Sequence, residues 1–252
     1  MQLHDYNYIK PNLPENDVIL AAIGYKYTEI ISALNKLGIS TFTVQKNITL
    51  PAYLDAHADL SMMHFSEKIL YFDNRILAGE LEQFFRYELI GEFCGKEYPK
   101  DCLLNTVRIG NNLICNEKYI SKNILNAALQ DELNIINVNQ GYSKCSVCVL
   151  NDNAIITDDI SIYKSAQNFL NDILLIEKGS IGLEGTNYGF IGGCSGKLGK
   201  NKLAFTGKVE SHSNHNEIID MLDKHNITAI ELTDKRLYDI GSIIPLLETA
   251  II

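Results

Sequence analysis

His57 and Asp59 stand two residues apart in the segment HADLSMMHFSEKILYFD. On a strand, that spacing puts an imidazole and a carboxylate on one face. Adjacent ionisable groups shift each other's protonation, so the pair suits general acid–base work. The thiol to set beside it is Cys148, with Cys145 and Cys194 as alternatives. Cys145-Ser146-Val147-Cys148 has the spacing of a redox or zinc dithiol. Such dithiols sit on turns or helix starts, whereas residues three apart on a strand point to opposite faces. Cys148 then shares the polar face with Lys144, whose ammonium would favour a thiolate, while Cys145 and Cys194 fall among apolar neighbours such as Val147 and Leu198. A metal held by His57, Asp59 and His64 would need His64 on the same face, and alternation places it opposite. Gly192-Gly193 and Gly196-Lys197 lack the spacing of a phosphate loop and read as hairpin glycines. Neither metal nor cofactor is expected.

The elements that must position these residues repeat. QGYSKCSVCVLNDNAIIT, residues 140–157, alternates as a β-hairpin turning at Asn151-Asp152-Asn153, with a helical run from Ser161 to Asn171 and a strand from Ile173 to Ile176 behind it. The same hairpin–helix–strand order is expected three more times. One unit starts at His57, with a helix over Ile76–Ile90 and a closing strand within 91–102; another at Asn105, with a strand over Asn134–Asn139; another at Gly192, with a strand over Ile227–Leu232. Near the start, Val18–Ile23, a helix capped by Thr28 and ended by Gly38, and Ser40–Gln45 form a strand–helix–strand unit lacking its first strand. Asp239–Glu248 is a strand lacking everything after it. Joined, the two make a fifth unit and close a ring, which removes exposed sheet edges. Residues 1–16 read as an irregular arm. The fold expected is α+β, a five-unit ββαβ propeller in a single domain over residues 1–252; an ordinary α/β sandwich is the alternative.

Composition bounds the partners. A formal charge of −9 argues against nucleic acid, which requires a basic face. No apolar run is long enough to span a bilayer, and MQLHDYNYIK does not read as a secretory leader. The six cysteines then read as reduced thiols of a cytoplasmic protein. The Asn-, Ile- and Lys-rich composition points to an AT-rich bacterial genome.

Five such units closed by both termini resemble the pentein, or α/β-propeller, fold of the guanidino-group-modifying enzymes: arginine deiminase, agmatine deiminase, dimethylargininase and amidinotransferase. HADLSMMHF, QGYSKCSVCVL, YGFIGGCSG and DIGSIIPL also resemble stretches of a bacterial family of that fold without an assigned activity. The resemblance implies a His-x-Asp strand, which His57-Ala58-Asp59 resembles, and a nucleophilic cysteine in a terminal Gly-Gly-(Val/Ile)-His-Cys strand. Gly241-Ser242-Ile243 matches the opening of that strand, but Ile244 stands at the histidine and Pro245 at the cysteine. Proline cannot attack an amidine carbon, so a standard cysteine deiminase is not expected; an enzyme here would be a hydrolase or amidinotransferase-like protein with a relocated thiol.

The resemblance also implies a ligand in the central channel, bordered by the first strand of each hairpin. Polar faces there would offer Arg108, Lys144, Ser146, Ser195 and Asp239 as ligand-binding residues around His57, Asp59 and Cys148. Carboxylates at one end and Arg108 or Lys144 at the other would clamp a small zwitterionic or guanidino compound. Mutual neutralisation of charges in a polar channel is the competing reading. The fold also includes a ribosome-binding translation initiation factor, so a non-catalytic interaction protein is the functional alternative.

Overall fold

The computed structural model describes residues 6–250. β1 (Tyr6–Tyr8) leads into β2 (Val18–Gly24), α1 (Thr28–Lys36) and β3 (Ser40–Val44). Ile30 and Leu34 form the buried stripe of α1, and Gly38 takes the left-handed conformation (φ 82°) that ends it. Tyr27, not Thr28, precedes the helix, and its side chain caps nothing.

The next unit runs through α2 (Ala58–Ser61), β4 (Met62–His64), β5 (Ile69–Asp73), α3 (Gly79–Phe85) and β6 (Glu88–Glu92). The helix is half the expected length, because Arg86 turns left-handed (φ 54°) and releases the chain into the closing strand early. β7 (Val107–Ile109), β8 (Asn112–Cys115), α4 (Lys122–Gln130) and β9 (Asn134–Asn137) follow. Then come β10 (Val147–Asn151), β11 (Ala154–Thr157), α5 (Ile160–Ala166) and β12 (Asp172–Leu175). Ser121 and Asp159 accept N–H donors from the first turns of α4 and α5, satisfying groups that a helix start leaves free. The fourth unit is β13 (Ser195–Gly199), β14 (Lys202–Phe205), α6 (His215–Lys224) and β15 (Thr228–Glu231), and β16 (Ile244–Thr249) ends the described chain.

Each of the five sheets pairs its first two strands antiparallel and its last two parallel, the parallel pair being bridged by the helix. β16 supplies the strand that the opening unit lacks: Ile244 lies opposite Ala22 and Glu248 opposite Val18. β1 adds to the other edge of β16, so the described part of the arm is partly strand. Architecture and ring closure follow the five-unit α/β propeller.

Five apolar clusters sit one per junction between neighbouring units. Phe65 and Tyr71 meet Leu113 and Ile124; Val107 and Ile114 meet Val149 and Ile155; Leu150 and Ile156 meet Leu203 and Phe205. Leu198 and Ala204 then meet Ile23 and Ile243, and Leu20 and Ile244 meet Leu70 and Leu81. Each fully buried aliphatic or aromatic side chain contributes about 1.5–3 kcal/mol, so every junction is held by its own core. Leu50, Leu54 and Leu60 form a sixth, smaller cluster with Tyr53, Tyr142 and Leu183 near the ring centre. Among the described residues no helix is long and apolar enough to cross a membrane.

Candidate active site

The first strands are not entered directly. His57 precedes the one-turn helix α2; residues 143–146 form a turn before β10; residues 191–194 form one before β13. Chain turning here breaks the two-residue period, so these side chains do not sort by strand face. Four passages meet at this level. Asp59 N–H donates to Gly241 O (3.1 Å), Gly193 N–H to Cys145 O (2.8 Å) and Ser242 N–H to Gly193 O (2.9 Å). Glycine is required at two of these points: a Cβ on Gly193 would lie 2.0 Å from Asp239 Oδ1, and one on Gly192 would lie 2.3 Å from Lys144 O.

The turns bring His57, Asp59, Cys145 and Asp239 together, all buried. Cys145 Sγ donates to Asp59 Oδ2 at 3.1 Å. Ser242 Oγ donates to the same oxygen at 2.7 Å and accepts from Lys144 Nζ at 3.2 Å, which relays a positive charge towards the carboxylate. Asn105 fixes the thiol turn: Oδ1 accepts from the N–H groups of Lys144 (2.9 Å) and Cys145 (3.2 Å), while Nδ2 donates to Asp59 O (3.0 Å) and lies 3.2 Å from Sγ. His57 Nδ1 is 3.9 Å from Asp239 Oδ1, and neither ring nitrogen has a hydrogen-bond partner. Asp239 accepts from Phe190 N–H and Gly241 N–H, both at 2.9 Å.

Burial dominates the protonation states. It lowers His57 to about 4, leaving a neutral imidazole at pH 7, and raises Asp239 to about 8, with the Asp59 charge adding to the rise. Burial and then Asp59 and Asp239 push the Cys145 thiol well up, while burial lowers Lys144. The unliganded site thus holds a protonated thiol beside an unpartnered base. His57, Asp59 and Cys145 also offer N, O and S donors within 4.8 Å of one another, a set that suits a zinc-like cation.

A cavity of about 320 Å³ opens above this floor, walled by Tyr53, Leu54, Leu60, Tyr142, Leu183 and the loop Thr186–Phe190. Clefts of about 400, 480 and 620 Å³ lie elsewhere, but none is lined by a cysteine or histidine. Chemistry rather than size therefore selects the smaller cavity.

The other expected site residues are dispersed. Cys148 packs in an apolar cluster with Leu150 and Cys194, its thiol raised to about 11 by burial. It lies three positions after Cys145; Cys145 is in the turn and Cys148 in the strand, and their side chains meet different environments. Cys194 Sγ faces Ile191 O (3.3 Å) in the same cluster. Arg108 donates to Phe65 O (3.0 Å) and Asp131 (3.2 Å) and lines the 620 Å³ cleft, so it gives the cavity no anion-binding end. Ser195 Oγ donates to Ile191 O (2.9 Å), and Ser146 Oγ is buried without a partner. Asn105, Ser242 and Tyr142 are not singled out as site residues by the sequence, because their roles rest on contacts with distant residues, and Tyr53 and the loop 186–190 lie outside any periodic segment.

The fold is that of the penteins. The chain superposes on inosamine-phosphate amidinotransferase from Streptomyces griseus with a TM-score of 0.58 at 11% identity, covering 98% of each chain. For agmatine deiminase from C. jejuni the TM-score is 0.54 at 11% identity, over 89% of each. For DDAH from Pseudomonas aeruginosa, complexed with citrulline, it is 0.53 at 10% identity, over 91% of this chain and 96% of that one. No curated protein matches the sequence. The profile of a family of unknown function, DUF6873, matches residues 22–244, and the chain belongs to that family.

Proposed function

We propose that this single-domain pentein binds a small guanidino compound in the cavity above Cys145 and hydrolyses one of its C–N bonds at that thiol. The observation that carries the reading is the 3.1 Å contact between Cys145 Sγ and Asp59 Oδ2, beside an unpartnered His57, on the floor of an open cavity. The structural similarity to agmatine deiminase and an amidinotransferase supports guanidines as the substrate class.

A guanidinium cation bound on the floor beside Asp239 counters the Asp59 charge, which after burial helps keep the Cys145 thiol protonated. The proton passes from Sγ to His57, and the thiolate bonds to the amidine carbon. The C–N bond to the leaving amine breaks as His57 returns the proton to that nitrogen. Water then adds to the thiouronium carbon, and the C–S bond breaks. The thiol regains a proton, leaving a ureido product and one amine or ammonium. Asp59 orients thiol and cation; Lys144 and Ser242 hold Asp59.

The test is release of amine or ammonia and formation of a ureido group from a panel of guanidino compounds. Turnover should vanish in Cys145→Ser and survive in Cys148→Ser and Cys194→Ser. Turnover that survives Cys145→Ser would overturn the relocated nucleophile. Absence of both binding and turnover across the panel would favour a non-catalytic interaction protein.

A further inference from the structure

The cavity floor carries Asp239, with Asp59 beneath Cys145, but no partner for an anion. Among the described residues no lysine or arginine lines it. Each nearby cation is already engaged: Lys26 with Asp55 (3.2 Å) and Ala52 O (2.8 Å), and Lys144 with Ser242 beneath the floor. Lys178, 5.7 Å from the Tyr188 ring centroid, is paired with Asp159 (3.7 Å).

The walls are aromatic instead. Tyr98, Tyr142, Phe190 and Tyr188 form a chain of ring contacts with centroids 5.4, 6.3 and 5.9 Å apart. Behind Tyr142 lies another buried carboxyl, for the phenol donates to Asp101 Oδ2 at 2.7 Å and Asp101 Oδ1 has no partner. The polar groups Thr186 and Asn187 are neutral. Ring faces attract cations and apolar substituents. A ligand carboxylate would lose its water and find no cation, with Asp239 on the floor, the Asp59 carboxylate beneath Cys145 and the Asp101 carboxyl behind Tyr142.

We propose that the ligand is a carboxylate-free organic cation, a guanidinium or amidinium with an apolar or aromatic tail, and that the cavity rejects the α-carboxylate-bearing counterpart. This rests on the guanidinium reading of the floor. Discrimination comes from what the rim lacks as much as from what the walls supply.

Calorimetric titration of the full chain with two matched pairs tests it: agmatine against arginine, and benzamidine against 4-carboxybenzamidine. The carboxylate-free member of each pair should bind at least about tenfold more tightly, because like-charge juxtaposition and unpaired desolvation both oppose the other. Equal or reversed affinities overturn the selectivity while leaving the guanidinium reading in place. No binding by any of the four overturns both. Asn187→Arg supplies the missing cation at the rim and should narrow the gap within each pair. An unchanged gap would show that rim charge does not set selectivity and would overturn the proposal.

Discussion

Cys145 and Asp59 meet across 86 residues of sequence, thiol to carboxylate at 3.1 Å, whereas Cys148 lies in the apolar junction between the third and fourth units. The contact depends on backbone bonds at both ends of Asp59: its N–H donates to Gly241 O, and its C=O accepts from Asn105, which also holds the turn carrying Cys145.

Gly192 and Gly193 should not tolerate a side chain. A Cβ on Gly192 would meet three backbone carbonyls, those of Lys144, Val147 and Cys145, all within 2.7 Å. Backbone cannot rotate away, so Gly192→Ala should cost on the order of 3 kcal/mol, the upper range for overpacking. Chemical denaturation of Gly192→Ala checks this, with Gly79→Ala as a reference site where a Cβ meets nothing and the backbone is not left-handed. A loss no larger than that of the reference would contradict the packing described.

Lys144 and Asp59 should couple through Ser242. Lys144→Met strips the buried carboxylate of its relayed cation, and the fall in stability should be on the order of 3 kcal/mol. Asp59→Asn removes the need for that cation, so the double variant should lose clearly less than the sum of the single changes. Strict additivity would mean that the relay through Ser242 carries no energy.

Asp158 should make the protein less stable as pH rises. Its Oδ2 accepts from Ile191 N–H at 3.0 Å, and burial raises it from 3.8 to about 7. Between those values the unfolded chain has lost the proton and the folded chain keeps it. Stability therefore declines with rising pH through that window, at up to about 1.4 kcal/mol per pH unit, and levels off above it. Asn mimics the protonated acid and keeps the bond to Ile191. The melting temperature of Asp158→Asn minus that of wild type should climb from pH 4 to pH 7 and then flatten; a flat difference throughout would contradict the burial assigned to Asp158.

Much of the ring was legible because its units repeat a local pattern: the hairpin strands at 147–157 and the helix stripe Ile30–Leu34 are encoded by periodicity, while the terminal strand, expected from Asp239, begins only at Ile244 and is buried on both faces. The site was half legible. His57, Asp59 and Asp239 stood out by type. Which cysteine meets Asp59 depends on where the turn at 143–146 gives way to strand, a boundary set by long-range contacts such as Asn105 Oδ1 to Lys144 N–H rather than by neighbouring residues. Arg108 looked like an anion clamp because alternation says which face a residue takes, not which cleft that face meets. The wall loop 186–190 has no period, and Asp239 and Asp158 hold its end from distant parts of the chain.

The most direct test alkylates the protein with chloroacetamidine, an amidinium that carries its own leaving group, and maps the modified cysteine by peptide mass, with neutral chloroacetamide as the control. The proposed site should give saturable labelling of Cys145 by the cation, slowed by guanidino ligands and lost in Asp59→Asn, with chloroacetamide far slower. Labelling of another cysteine in preference to Cys145, or equal rates for the charged and neutral reagents, would contradict it.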